Sequence, residues 1–229
     1  MTTGKRVKAR SLRPQSVGVI FSKTDLQRAF RLRRLPDLFE LRLDGLVGAT
    51  DELRDAIPKL RVPFIVTARS AAEGGANNLS LARRRELLLC FLPGAAYVDV
   101  ELRSASGLSA VLKLAHARKV RLILSLHDLK ATPTPSALSA AARRACSLGA
   151  DIFKLATRTD RLDQLNRLLE FLESGSALVP ISVMGIGKLG RVSRARLAQA
   201  GSVLNYAHLG RATIEGQWSL AQLRTALEA

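Results

Sequence analysis

Residues 121–157 read RLILSLHDLKATPTPSALSAAARRACSLGADIFKLAT. An apolar run, Arg121–His127, is followed by an amphipathic stretch, Ser136–Leu148. Gly149 stands where a helix C-cap is expected, and a second apolar run follows at Ile152–Thr157. Both runs are close to continuous, the pattern of a strand buried on both faces. The segment therefore reads as strand, helix, strand. Working outward, the same alternation predicts strands at Val17–Ser22, Leu38–Asp44, Phe64–Arg69, Tyr97–Leu102, Leu178–Gly185 and Leu204–Gly210. Helices are predicted at Thr24–Arg34, Thr50–Leu60, Ser80–Leu92, Ser104–Ala117, Thr159–Leu172, Ser193–Ala200 and Ser219–Leu227. Thr24, Thr50 and Ser80 are candidate N-caps, and Gly201 is a further candidate C-cap.

Strands and helices in strict alternation suit an α/β chain closed into a (β/α)8 TIM barrel of a single domain. The length of 229 residues is near the lower end for that fold. A doubly wound open sheet is the runner-up. It usually carries a glycine-rich phosphate loop after its first strand, where this chain has Ser22-Lys23-Thr24. Residues 1–16 are expected to form a basic N-terminal arm, and 17–229 the barrel.

Composition fits one sizeable core, with 47% hydrophobic and 24% charged residues. The net charge of +17 is spread mostly as arginines on predicted helix faces. One cluster is dense: Lys5, Arg6, Lys8, Arg10 and Arg13. Aromatics are only 4%, and no stacking platform of aromatics and arginines appears, so nucleic acid is not the expected partner. The positive field favours an anionic small molecule instead. Cys90 and Cys146 lack metal-ligand spacing and are predicted to be small core residues. His116 and His208 lie away from the other polar positions, so no metal site is expected. No run has the length of a membrane span, and no apolar signal core follows the basic start. No membrane association is expected, and a cytoplasmic location is.

In a parallel barrel, reactive groups gather at the C-terminal ends of the strands. Those ends carry Glu40, Arg42 and Asp44; Arg69, followed by Glu73 before Gly74-Gly75; Asp99 and Glu101; His127-Asp128; Lys154; Lys188, Arg191 and Arg194; and Thr213, Glu215 and Gln217. A structural ion-pair layer is the alternative for Glu40, Arg42 and Asp99, and a solvated helix start for Arg191 and Arg194. Lys154 is the hardest to explain structurally, flanked by Ile152, Phe153, Leu155 and Ala156. A buried ammonium costs several kcal/mol unless paired, and burial favours the free, nucleophilic amine. The structural alternative pairs it with Glu40, Asp99 or Glu101. His127 is the natural proton shuttle, and Glu73 is placed to orient its ring. A Schiff-base lysine beside a proton shuttle supports dehydration or carbon–carbon cleavage, while arginines at strand ends argue for a carboxylate on the substrate. A Schiff-base aldolase and a non-enzymatic basic binding module remain as alternatives.

Six segments in this order resemble the type I 3-dehydroquinate dehydratases: Glu40-Leu-Arg42-Leu-Asp44, Thr67-Ala-Arg69 with Glu73-Gly74-Gly75, Ser125-Leu-His127-Asp128, Ala150-Asp-Ile-Phe-Lys154, Gly190-Arg-Val-Ser-Arg194, and Thr213-Ile-Glu-Gly216-Gln217. The resemblance runs from about Val17 to Leu227. It implies that Lys154 attacks the C3 ketone of 3-dehydroquinate to form an iminium. His127 would take the C2 proton and later assist loss of the C1 hydroxyl and imine hydrolysis, held by Glu73. Arg194 and Gln217 would bind the carboxylate region with Thr213 nearby, and Glu40, Arg42 and Arg69 the ring hydroxyls. The loop carrying Gln217 would close over the substrate. The implied product is 3-dehydroshikimate, on the route to aromatic amino acids, with no metal or organic cofactor and a homodimeric assembly. The chain departs from the family pattern at Met184-Gly-Ile186, at Thr213 in place of a serine, and at Glu215 in place of a proline.

Overall fold

The computed structural model describes residues 13–174 and 179–228. Eight strands form the barrel wall: β1 Gln15–Ile20, β2 Leu38–Arg42, β3 Phe64–Thr67, β4 Tyr97–Glu101, β5 Arg121–Asp128, β6 Ile152–Arg158, β7 Ile181–Ile186 and β8 Leu204–His208. A two-residue strand, β9 Trp218–Ser219, pairs with β8. The helices are α1 Lys23–Arg31, α2 Thr50–Ala56, α3 Leu81–Phe91, α4 Ser109–Ala117, α5 Pro135–Ser147, α6 Leu162–Glu173, α7 Gly190–Gln199 and α8 Leu220–Glu228. All ladders are parallel, in the order β7-β6-β5-β4-β3-β2-β1-β8-β9. The (β/α)8 architecture is as the alternation predicts.

The seam between β7 and β8 is closed differently from the other strand pairs. Val203 N–H donates to Ile181 O at 3.0 Å. Two serine hydroxyls do the rest: Ser182 Oγ donates to Leu204 O at 2.7 Å, and Ser202 Oγ accepts from Val183 N at 2.9 Å and donates to Val183 O at 3.1 Å. Buried backbone groups need partners, and these hydroxyls supply them where no ladder runs.

The strand sequences set the layers. On the outer face, Phe39, Leu41, Val66, Val98, Val100, Leu122, Leu124, Phe153, Leu155 and Val183 join one cluster with helix residues such as Leu53, Leu88, Leu138 and Leu168. On the inner face, Val17, Leu38, Ile65, Tyr97, Ile123, Ile152 and Leu204 form an apolar floor. Two residues further along β2 to β6 the inner face turns polar: Glu40, Thr67, Asp99, Ser125 and Lys154 are all buried, while Val19 on β1 and Tyr206 on β8 continue the inner apolar cluster. Side chains of one strand face alternate with period two, so this single step from apolar to polar builds the tier on which the site sits.

Several boundaries differ from expectation, for identifiable reasons. Ser22, not Thr24, caps α1: its Oγ accepts from Asp25 N at 3.2 Å and donates to Asp25 Oδ2 at 2.8 Å. α2 ends early because Pro58 lacks an N–H, leaving a short 3-10 turn at Ile57–Lys59. Ser80 caps α3, and Gly149 (φ +81°) and Gly201 (φ +106°) follow α5 and α7 in the left-handed conformation. α7 starts at Gly190 rather than Ser193, which moves Arg194 from the helix start to its second turn. The cysteine expectation fails: Cys90 is exposed and Cys146 half-buried, both free. Cys90 lies off the Leu87–Leu88–Phe91 stripe of α3 and accepts from Arg54 Nη2 at 3.3 Å. Of the expected basic arm, residues 1–12 lie outside the described residues. Arg13 is an exposed partner of Asp37 at 2.9 Å, and Gln15 and Ser16 already belong to β1. Leu178, expected in β7, also lies outside the described residues. Among the described residues no helix is long and apolar enough to cross a membrane.

Candidate active site

A cavity of about 370 Å³ opens at the C-terminal ends of the strands. Lys154, His127, Glu73, Glu40, Arg42, Arg69, Arg194, Thr213 and Gln217 all line it. They come from six different strands or the loops and helix that follow them. Lys188 and Arg191 are exposed and do not line it. Phe21, Met184, Ile186 and Ile214 add apolar wall.

Lys154 sits at the centre of the polar tier. It pairs with Ser125 across β5 and β6, so His127, two residues on, shares its face one step diagonally away. The ammonium donates to Asp99 Oδ2 at 2.9 Å and to Glu40 Oε1 at 3.2 Å. It also lies 3.8 Å from the ring centroid of Tyr206, an arrangement that stabilises positive charge. Two carboxylates and a ring face thus surround Lys154.

Those carboxylates are themselves held. Asp99 accepts from Arg69 Nη2 at 2.9 Å and from Ser125 Oγ at 2.6 Å. Burial works against its charge, but Arg69 and then Lys154 overcome this and hold Asp99 well below the usual carboxylate range. It is an anion throughout the neutral range. Glu40 accepts from Thr67 Oγ1 at 2.9 Å. Arg69 reaches Ser125 at 2.7 Å, and its backbone N–H donates to Asp44 at 3.1 Å. Asp44, at the end of the strand-two motif, does not face the cavity. Its buried carboxylate accepts from Nε and Nη2 of Arg42, at 2.9 and 2.8 Å, and from Ala76 N at 2.9 Å, tying β2 to the loop after β3.

That loop positions Glu73. A 3-10 turn, Ala71–Glu73, ends at Gly74 with φ +83°, a conformation that favours glycine. Gly75 then folds back on the segment just after β3 so closely that a Cβ there would lie 2.1 Å from Arg69 O. The result buries Glu73, whose Oε2 accepts from His127 N at 3.0 Å and meets His127 Nδ1 at 2.8 Å. Burial pushes Glu73 up to about 7. His127 moves the other way: burial first, then the charges of Arg69 and Lys154, hold it below its ordinary value. At neutral pH the imidazole is therefore neutral, able to accept a proton at Nε2 when Nδ1–H is given to Glu73.

Arg194 reaches inward from α7. Its Nη1 donates to Tyr206 O at 3.1 Å, while its buried Nε has no hydrogen-bond partner among the described residues. Burial lowers it to about 10. No carboxylate pairs with it among the described residues, in contrast to Arg42 and Arg69. The facing segment, residues 209–217, carries Thr213 N–H donating to Gln217 Oε1 at 3.1 Å. Its tip rests on the start of α7: Gly187 N–H donates to Glu215 O at 3.3 Å, and Glu215 Oε2 pairs with Arg158 Nη1 at 3.1 Å. In the sequence Asp99 is one strand-end acid among several, with a structural ion-pair layer as its alternative reading. Tyr206, which also lines the cavity, was missed altogether, although its spacing from Leu204 puts it on the inner face. No group of three or more His, Cys, Asp or Glu side chains among the described residues is arranged to hold a metal ion.

The chain matches the family model described as type I 3-dehydroquinase over residues 17–229. It is 34% identical over 183 residues to 3-dehydroquinate dehydratase of Methanothermobacter thermautotrophicus, covering 79% of each chain. It is 31% identical over 209 residues to the protein of the same name from Klebsiella pneumoniae, covering 84% of this chain and 82% of that one. Among solved structures, 3-dehydroquinate dehydratase from Geobacillus kaustophilus superposes with a TM-score of 0.85 at 26% identity, covering 97% and 96% of the two chains. Type I 3-dehydroquinate dehydratase from Clostridium difficile, solved with covalently modified comenic acid, superposes with a TM-score of 0.83 at 27% identity, covering 94% and 91%.

Proposed function

The chain belongs to the type I 3-dehydroquinase family, and from that premise we propose the route by which it removes water from 3-dehydroquinate. Lys154 gives one proton to solvent and attacks the C3 ketone; the hydroxyl of the adduct takes up a proton from solvent and leaves as water, giving an iminium. The iminium withdraws electrons from the neighbouring carbon, and neutral His127 takes the C2 proton through Nε2. The resulting enamine expels the C1 hydroxyl, which leaves as water with the proton returned by His127. Hydrolysis of the imine then frees Lys154 and 3-dehydroshikimate. Asp99, held as an anion, balances the positive charge on Nζ both before and after the bond forms. Preorganised charges of this kind act strongly in a site from which water is excluded. Glu73 fixes the tautomer of His127 and balances the imidazolium that forms.

The observation that carries this reading is the arrangement around one cavity of Lys154, His127 and Arg194: a nucleophile, a neutral base and an uncompensated guanidinium. A carboxylate-bearing ketone meets all three at once. Arg42 and Arg69, already committed to Asp44 and Asp99, serve ring hydroxyls through their remaining donors, with Glu40 as an acceptor. The direct test is the enzymatic assay: 3-dehydroquinate is added and the absorbance of the conjugated product is followed. Absence of turnover would sink the reading. The homodimer and cytoplasmic location belong to the same proposal, and sedimentation of the purified chain checks the first.

Arg194→Ala is expected to raise KM about ten- to hundredfold, the value of a hydrogen-bonded charge pair, with kcat much less affected. An unchanged KM would remove Arg194 from the binding set. Gln217 is placed by Gly216, whose φ is +81° and where a Cβ would lie 2.6 Å from Gly190 Cα. Gly216→Ala must push the segment off α7. A cost of one to two kcal/mol lowers kcat/KM by about five- to thirtyfold, while borohydride-trapped imine still forms at saturating substrate. Normal kcat/KM in this variant would show that the position of the segment is immaterial.

A further inference from the structure

We propose that Arg103 is a positioning residue for the reaction: its guanidinium holds Glu73 as the carboxylate that orients His127. The proposal rests on the reading of Glu73 and His127 given above. Arg103 belongs to a 3-10 turn, Leu102–Ser104, just beyond β4. It does not line the cavity. Its side chain is 56% exposed, yet its Nε lies 2.8 Å from Oε1 of Glu73, whose side chain is 0% exposed. The two oxygens of Glu73 thus have separate partners. Oε2 takes both contacts from His127. Oε1 has no aligned hydrogen bond among the described residues, and the charge of Arg103 is what faces it.

Four charged or titratable groups surround this carboxylate: Arg69 after β3, Glu101 on β4, Arg103 after β4, and His127 on β5. Burial and Glu101 favour the neutral acid, whereas Arg69 and Arg103 favour the anion. Arg69 exerts the larger pull but makes its direct contacts with Asp99, Ser125 and Glu101, whereas Arg103 is the arginine in direct contact with Glu73. Protonation of Glu73 has a specific chemical cost. A proton on Oε2 would donate to Nδ1 of His127 and drive its ring proton to Nε2, the wrong tautomer for a base. A proton on Oε1 would leave an acceptor but remove the negative charge that balances the imidazolium. Glu73 stands near 7 with Arg103 in place, so loss of Arg103 moves the carboxylate toward the acid form within the working range.

The test is the pH profile of kcat/KM in Arg103→Gln and Arg103→Lys, with Glu73→Gln and His127→Ala alongside. Activity that needs the Glu73 anion rises with pH, so removing the cation shifts that rising limb upward. The exposed end of Arg103 limits the size of the effect to roughly half a pH unit. Arg103→Gln should therefore lose activity only on the acid side, and Arg103→Lys should restore the original limb. In a Glu73→Gln background, Arg103→Gln should produce no further shift. Superimposed profiles for Arg103→Gln and the parent, or an equal loss at every pH, would overturn the role of Arg103. Normal turnover in Glu73→Gln or His127→Ala would instead overturn the reading on which it rests, so the two failures are distinguishable.

Discussion

Lys154→Ala is expected to lose turnover by about ten-thousandfold or more, the range found when a covalent nucleophile is removed. The loss should be chemical and not a failure to fold. With Lys154 gone, Asp99 keeps Arg69 and Ser125, and Glu40 keeps Thr67. The buried carboxylates thus retain partners, which is the condition for avoiding the several kcal/mol of an uncompensated charge. Lys154→Arg makes the distinction sharper. It restores a cation beside Asp99 and Glu40 without a nucleophilic amine, and should be as inactive as the alanine variant. Circular dichroism and thermal denaturation of both variants check that the barrel is intact. Substantial turnover in either would mean that the reaction does not pass through this amine.

His127→Ala should separate the two halves of the chemistry. General acid–base groups typically contribute a hundred- to ten-thousandfold, and a loss of about that size is expected. The imine at Lys154 should nevertheless form and accumulate, because the nucleophile, Asp99 and Arg194 are untouched. The pH dependence of the parent follows from the same geometry. Burial, Arg69 and Lys154 hold His127 below its ordinary value, so the imidazole is still unprotonated where a free histidine would be half protonated, and the rising limb of the profile belongs to Glu73. Near-normal turnover in His127→Ala would assign the proton transfers elsewhere.

Much of this site was legible in the sequence, because the information lies in strand periodicity. Glu40 and Arg42 alternate with Leu41 and Leu43, and the leucines do pack outward into the core. His127 and Lys154 stand in consecutive apolar strands, and parallel pairing brings them to adjacent positions of one face. All nine residues singled out as catalytic or binding line one cavity. What escaped the sequence depends on distance between separate elements. Asp99 reads as one acid among several until Arg69, Ser125 and Lys154 are seen to converge on it. Arg103 reads as a surface residue after a strand, and only its 2.8 Å approach to Glu73 sets it apart. Asp44 alternates with its neighbours as Glu40 and Arg42 do, but β2 ends at Arg42, so its side chain turns to the loop and becomes structural. Helix starts were misplaced where a cap lay a few residues away, as at Ser22, or where helical residues precede the expected cap, as at Gly190.

In the mechanism proposed above, the substrate ketone becomes covalently joined to Lys154 Nζ during turnover. Adding borohydride to the enzyme turning over 3-dehydroquinate reduces any such iminium to a stable amine, which peptide mass spectrometry then locates. Inactivation is expected, with one reduced adduct per chain on the peptide containing Lys154. Turnover that proceeds without any trapped adduct, or an adduct confined to another lysine such as Lys130 or Lys188, would contradict it.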